Sequence, residues 1–130
     1  MVVDSSALLA ILFQEPESER LSIAVAVSDR LMMSAVNWLE SMMVIEGRRG
    51  ADSARDLQEF LDQFEVQIIP FDQQHMEEAR EAWRRFGKGR HPAGLNMADC
   101  AAYATAVIAG EPLLFKGGDF SQTGVPAVEW

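Results

Sequence analysis

Short apolar runs alternate with amphipathic segments along the chain, which predicts strands separated by helices. The strand-like runs lie at residues 1–3, 31–33, 66–69 and 113–115. A last edge strand is expected between residues 125 and 128. Strands that alternate with helices form parallel sheets covered on both faces. We therefore expect one α/β domain over residues 1–130, with three α/β/α layers and a central parallel sheet of four to five short strands.

Six helices are expected because apolar positions recur at helical spacing between and after these runs. Ser34, Asp72 and Asn96 are suited to cap three of them. The segment 87–94 is rich in glycine and contains a proline, so a loop is expected there. The helices are expected at residues 7–13, after Pro16 to 27, from 35 to Gly47 or Gly50, 52–64, 73–86 and 97–109.

The composition is that of an ordinary folded domain, with 48% hydrophobic and 24% charged residues among 130. No apolar run approaches the roughly 20 residues that span a bilayer, and the first residues lack a signal-peptide pattern. Cys100 is the single cysteine, which excludes an internal disulfide framework. We therefore expect a cytoplasmic protein with no membrane partner.

The net charge of −9 argues against a broad electrostatic grip on nucleic acid and suits a basic partner. A nucleic-acid substrate is still possible, because a local basic segment lies between residues 84 and 91. Lys88 and Arg90 in this segment, and Lys116 elsewhere, are candidates for contacts with phosphate groups. The alternative is that these side chains only keep an acidic protein soluble.

Four acidic residues stand where the pattern predicts strand ends or helix starts. Asp4 follows the first strand, and Asp119 follows the last apolar run across Lys116 and two glycines. Ligands of parallel sheets bind at the carboxyl ends of strands. Glu40 and Asp99 lie in apolar surroundings, where a carboxylate is costly unless it is paired, hydrogen-bonded or bound to metal. If the fold brings the four together, their repulsion requires a divalent cation.

Each acid also has a simpler explanation. Asp4 can cap the first helix, and Asp99 stands three residues after Asn96, as in a capping box. Asp119 can be an ordinary turn residue. Glu40 is the hardest to explain, because its neighbours Trp38, Leu39, Met42 and Met43 predict that much of its helix is buried. Asn37, Ser41 and Glu46 nevertheless leave open a solvated stripe on that helix.

Four segments carry a resemblance to a known family. They are residues 3–8, the pair Leu39 and Glu40, residues 87–100 (from Gly87 to Cys100), and residues 111–123, which contain Phe115-Lys116-Gly117-Gly118-Asp119. In these segments, which are spread along nearly the whole length of the chain, it resembles the PIN-domain ribonucleases. The resemblance is specifically to the VapC toxins of bacterial type II toxin–antitoxin pairs.

The resemblance implies an endoribonuclease that cleaves RNA and inhibits translation until an antitoxin of the VapB type neutralises it. It also implies a homodimer and a higher assembly with the antitoxin. It assigns catalysis and the binding of Mg²⁺ or Mn²⁺ to an acidic quartet, and support of the pocket to three polar residues. The quartet is Asp4, Glu40, Asp99 and Asp119, and the supporting residues are Ser6, Asn96 and Thr123.

Two positions depart from the pattern of the family. Ala98 stands where the family often has glycine, a mild change at a helix start. Gly124 stands where many relatives have a second aspartate after the threonine. We therefore expect one well-held ion, and a second ion whose binding depends on the substrate.

Two other functions remain open from the residues alone. A receiver-like signalling module would also bind Mg²⁺ without catalysis, but it needs adjacent acids after the first strand, where this chain has Ser5 and Ser6. It also needs an acid at the end of a central strand, and none follows residues 66–70 until Asp72. A degenerate PIN domain that only binds antitoxin is disfavoured, because all four acids remain.

Overall fold

Four short strands form one parallel sheet in a computed structural model that describes residues 1–130. Val2 pairs with both Met32 and Leu113, so the first strand lies in the centre of the sheet. The order along the sheet is β3-β2-β1-β4. The strands are β1 (Val2–Val3), β2 (Met32–Ser34), β3 (Gln67–Ile69) and β4 (Leu113–Leu114).

Six helices connect and cover these strands. Ser34, Asp72 and Asn96 each accept a backbone hydrogen bond at the start of the helix that follows, as predicted from their positions in the sequence. Short 3₁₀ turns lie at Ala51–Ser53 and Phe120–Gln122. The helices are α1 (Ser5–Leu12), α2 (Ser18–Ala26), α3 (Ala35–Arg49), α4 (Ala54–Gln63), α5 (Gln73–Phe86) and α6 (Met97–Ala109).

Neighbouring residues of each central strand point to opposite faces of the sheet, and each face has its own core. Val2 and Leu113 pack in one apolar cluster with α5 and α6. Val3 and Leu114 pack in the other with residues of α1 to α4. The predicted three-layer architecture is therefore confirmed, and the carboxyl ends of β1, β2 and β4 meet at one edge.

Two local expectations were inaccurate, at residues 125–128 and 52–53, and the structure decides between Gly47 and Gly50 as the end of α3. No fifth strand forms between residues 125 and 128, where a single bridge joins Ala127 to Leu113. Gly47 lies inside α3, and the helix ends at Gly50, whose φ of +88° favours glycine. Residues 52 and 53 belong to a 3₁₀ turn, so α4 begins later than the periodicity predicted.

The burial of α3 departs from what its polarity predicts. The buried residues of this helix are Asn37, Ser41 and Ile45, one turn apart along a single face. Leu39 and Met43 are 58% and 67% exposed. The solvated stripe that the sequence left open is therefore wrong for Asn37 and Ser41, because both side chains find hydrogen-bond partners inside the protein, while Glu46 is exposed.

Candidate acidic active site

Asp4 is the most constrained of the four acids. Its backbone N–H donates to the carbonyl of Leu114, so the residue is fixed where β1 and β4 end. Its Oδ2 accepts from the backbone N–H of Ser6 at 2.9 Å and from Ser6 Oγ at 2.6 Å. Its Oδ1 accepts from Asn37 Nδ2 at 3.0 Å. The capping interpretation of Asp4 is thus confirmed, and one acceptor position remains open on Oδ1.

The surroundings of Asp4 disfavour its charge. Burial raises the pKa of Asp4 to about 6, although the two hydrogen bonds from Ser6 act in the opposite direction. The negative charges of Asp99 and Glu40 raise the pKa of Asp4 further. A cation bound beside Asp4 would offset both effects.

Asp99 combines a capping role with a place in the same electrostatic cluster. The Asn96 side chain accepts from the backbone N–H of Asp99 at 2.9 Å, and Asp99 Oδ2 accepts from the backbone N–H of Asn96 at 2.8 Å. This is the capping box predicted from the sequence. Burial and the charges of Asp119 and Glu40 raise the pKa of Asp99, while the backbone hydrogen bond from Asn96 lowers it.

Glu40 lies half-buried in an open groove between α3 and the start of α6. Leu39 and Met43 of α3 and Met97 of α6 form apolar walls of this groove. Met97 is 78% exposed and also lines a second groove, which contains Trp83 and Lys88. The acids are therefore flanked by exposed apolar surface.

Asp119 is the least constrained acid. It is exposed and follows Gly117, whose φ of +104° requires glycine-like freedom. Its side chain makes no capping hydrogen bond to the 3₁₀ turn that follows. Thr123, at the end of that turn, uses its hydroxyl within the loop, where it donates to the Phe120 carbonyl at 2.7 Å. No hydrogen bond joins the Thr123 hydroxyl to the acids.

The four acids share one neighbourhood without closing around a common point. No three acidic, histidine or cysteine side chains are arranged to hold a metal ion between them. The donors nevertheless fit Mg²⁺ or Mn²⁺ in kind, because they are hard carboxylate oxygens whose charges repel one another. Mg²⁺ is usually held by one or two carboxylates with water and substrate phosphate, so a closed protein cage is not required.

The three basic side chains proposed for phosphate contacts differ in their surroundings. Lys88 is exposed and lines a groove together with Asn96, and the Arg90 guanidinium lies 4.0 Å from the centre of the Trp83 ring. Lys116 is paired with Glu15 and with Glu17, and hydrogen bonds to these carboxylates raise the pKa of Lys116. These two ion pairs compete with a phosphate contact at Lys116.

Asn37 is the site residue that sequence reasoning missed. Its side chain is fully buried, and its amide contacts Asp4. The available signal was its spacing of three residues before Glu40 and four before Ser41, but its polarity pointed to solvent instead.

Residues 1–126 match the family described as PIN domain. The chain belongs to the PIN domain family. A ribonuclease VapC from Mycolicibacterium smegmatis is 48% identical over 128 residues, which cover 98% of this chain and 99% of that protein. This PIN domain therefore belongs among the VapC ribonucleases, as the resemblance predicted. The receiver-like alternative is excluded by this membership.

Solved structures agree with the PIN domain fold. The structure of VapC20 from Mycobacterium tuberculosis, described as a toxin that cleaves the sarcin–ricin loop, superposes with a TM-score of 0.80 at 20% identity. The match covers 99% of this chain and 98% of that one. A toxin–antitoxin complex from Klebsiella pneumoniae gives a TM-score of 0.73 at 16% identity, over 99% and 97% of the two chains. At these identities the likeness shows the fold alone.

No helix in the structure is both long enough and apolar enough to cross a membrane.

Proposed function

We propose that this PIN domain is a Mg²⁺- or Mn²⁺-dependent endoribonuclease and the toxin of a VapBC-type toxin–antitoxin pair, which inhibits translation by cleaving RNA. The observation that carries the proposal is the buried Asp4 carboxylate at the end of β1, electrostatically coupled to Asp99 and Glu40. Its membership among the VapC ribonucleases supports the same chemistry. RNA in the cytoplasm would be its substrate.

Asp4 and Asp99 are the proposed principal ligands of one ion, with Asp119 as a further ligand and Glu40 nearby. The bound ion would supply Lewis acidity and an activated water for hydrolysis of a phosphodiester bond. Asp4 offers the open position on Oδ1, while Ser6 occupies both positions of Oδ2. Glu40, in its open groove, would orient the attacking water or accept its proton.

A second ion would depend on the RNA phosphate, because Gly124 supplies no carboxylate where many relatives have one. Lys88 and Arg90 are the proposed phosphate contacts. Lys88 shares its groove with Asn96, at the start of the helix that carries Asp99. Lys116 is the weakest of the three candidates, because Glu15 and Glu17 already compensate its charge.

We also propose a VapB-type antitoxin and a second copy of this chain as partners, with higher assemblies of the two. The fold is shared with the toxin–antitoxin complex from Klebsiella pneumoniae. The net charge of −9 suits a partner with basic residues. The exposed apolar side chains of Leu39, Met43 and Met97 beside the acids are suited to an interface.

The decisive experiment is mapping of cleavage sites on total bacterial RNA with purified protein. We expect discrete cuts with Mg²⁺ or Mn²⁺, none with EDTA, and none with the Asp4→Asn variant in the presence of metal. Cleavage that persists in EDTA would contradict metal dependence. A purified protein that binds a co-expressed antitoxin but cuts no RNA under any metal condition would favour the degenerate PIN domain instead.

A further inference from the structure

We infer that Asn37 is a positioning residue of the acidic site, whose buried amide orients the Asp4 carboxylate and ties it to the first turn of α6. This turn carries Asp99, so the amide links the supports of two acids. The inference rests on the proposed function only for its consequence in metal binding. The orientation of Asp4 can be measured without any metal.

The Asn37 amide joins three parts of the chain. Its Nδ2 lies 3.0 Å from Asp4 Oδ1, 3.1 Å from Ser5 Oγ and 3.2 Å from the carbonyl oxygen of Ala98. Asp4 and Ser5 follow β1, Asn37 itself is in α3, and Ala98 is in α6. Two N–H groups therefore serve three acceptors, all within a buried cluster.

The orientation of this amide is determined by its surroundings. If the amide were turned over, Asn37 Oδ1 would face the oxygens of Asp4 and Ala98, which are both acceptors. In the observed orientation, Oδ1 is buried and has no hydrogen-bond partner. Leaving a buried acceptor unsatisfied destabilises the fold. An apolar side chain of similar volume would fill the space without this cost, so packing alone does not explain an asparagine here.

The bond from Asn37 decides which part of Asp4 stays available. Ser6 donates twice to Oδ2 of Asp4 and leaves no free position on that oxygen. Ser6 alone holds only one side of the carboxylate. Asn37 anchors the other side through a single bond to Oδ1. The remaining acceptor position on Oδ1 is therefore held in a fixed direction.

The first measurement is a crystal structure of the metal-free Asn37→Leu variant, which keeps the volume and removes the donor. We expect the Asp4 carboxylate to turn away from its wild-type direction or to occupy more than one orientation. Ser41→Ala is the matched control. Ser41 is buried one turn later on the same face, and its hydroxyl donates only to the backbone carbonyl of Asn37. An unchanged Asp4 orientation in Asn37→Leu would overturn the inference.

The second measurement is Mn²⁺ affinity by calorimetry, without RNA. Loss of a residue that orients a metal ligand typically weakens binding by about 10- to 100-fold. We expect this loss in Asn37→Leu and an affinity within about twofold of wild type in Ser41→Ala. An Asn37→Leu protein that folds and binds Mn²⁺ as tightly as wild type would refute the role in metal binding.

Two further outcomes keep the inference separate from the proposed function. If wild type binds no Mn²⁺ and cuts no RNA, the proposed function fails, and the crystal structures still decide whether Asn37 orients Asp4. If Asn37→Leu does not fold, Asn37→Ala removes the donor without adding bulk and is judged by the same two measurements. A wild-type Asp4 orientation in Asn37→Ala would likewise overturn the inference.

Discussion

Asp4 and Asp119 both follow strands at the same edge of the sheet, but the fold constrains them very differently. Asp4 is 3% exposed and accepts three hydrogen bonds, two from Ser6 and one from Asn37. Asp119 is exposed and follows a glycine turn that leaves its side chain free of capping bonds. Packing orients the first carboxylate, whereas only the backbone of a loop orients the second.

This difference separates two parts of the site. A preorganised ligand needs no rearrangement when the ion binds, and a site held within a fraction of an ångström is what catalysis requires. We therefore expect activity to depend most on Asp4 and its hydrogen-bond partners. Asp119 should contribute less, and its contribution should depend on the conformation of the loop.

The largest expected effect is that of Asp4→Asn on RNA cleavage. Loss of this carboxylate should lower the single-turnover rate by about a thousandfold, or roughly 4 kcal/mol. The fold should persist, because asparagine keeps the shape of the side chain and its amide oxygen can still accept both hydrogen bonds from Ser6. Circular dichroism checks the fold. A variant that cleaves RNA at the wild-type rate would show that Asp4 is no ligand.

The second prediction concerns the stability of the metal-free protein. The pKa of Asp4 is 3.8 when unperturbed and about 6 in the fold, so the folded state binds more protons between these values. Proton binding by Asp4 therefore stabilises the fold fully below about pH 4. This contribution to the free energy of unfolding, roughly 3 kcal/mol, is lost as the pH rises through about 6. Urea unfolding in EDTA, compared between wild type and Asp4→Asn, measures this contribution together with its coupling to Asp99 and Glu40.

The comparison with Asp4→Asn is needed because other groups titrate in the same range. Glu17 and Asp72 have lowered pKa values and so stabilise the fold above their unfolded pKa values. Their effect has the opposite sign and is the same in both proteins. If the difference in free energy of unfolding between the two proteins does not change with pH, the charge of Asp4 does not destabilise the fold.

The third prediction is that Asp119→Asn has a smaller effect than Asp4→Asn. We expect cleavage to fall by roughly tenfold, about 1.4 kcal/mol, because the side chain is exposed and has no fixed orientation. The free energy of unfolding should change by less than about 0.5 kcal/mol. Equal losses of activity in Asp119→Asn and Asp4→Asn would remove the distinction between the two parts of the site.

The smallest expected effect is that of a methyl group in the glycine turn. Gly117 has a φ of +104°, while Gly118 has an ordinary backbone, and a Cβ at either position meets no neighbour within 4 Å. Gly117→Ala should therefore cost about 1 kcal/mol of stability, and Gly118→Ala should cost almost none. Cleavage should fall less in Gly117→Ala than in Asp119→Asn. Chemical denaturation and rate measurements on the two variants test this.

Much of the fold was predictable from local signals in the chain. The four main strands, the capping roles of Ser34, Asp72 and Asn96, and the capping box at Asp99 all depend on neighbouring residues. Such features follow from apolar periodicity and from side chains that reach only a few residues away. They need no knowledge of which helix packs on which strand.

The burial of α3 was not predictable in the same way. Leu39 and Met43 are exposed and Asn37 is buried, so the polarity of the residues indicated the wrong face. A polar side chain can be buried when partners distant in sequence satisfy it. The partners of Asn37 are Asp4, 33 residues away, and Ala98, 61 residues away. Only the tertiary structure brings them together.

The sequence by itself therefore determined the parallel α/β architecture and pointed to all four acids. Asp4 and Asp119 follow directly from strand ends, because the carboxyl ends of parallel strands must meet at one edge. The tertiary structure alone decided that Asp4 is buried and accepts hydrogen bonds on both carboxylate oxygens. It also decided that Lys116 pairs with two glutamates and that the Asp119 side chain makes no capping hydrogen bond. These properties depend on contacts between distant segments, and local patterns carry no information about such contacts.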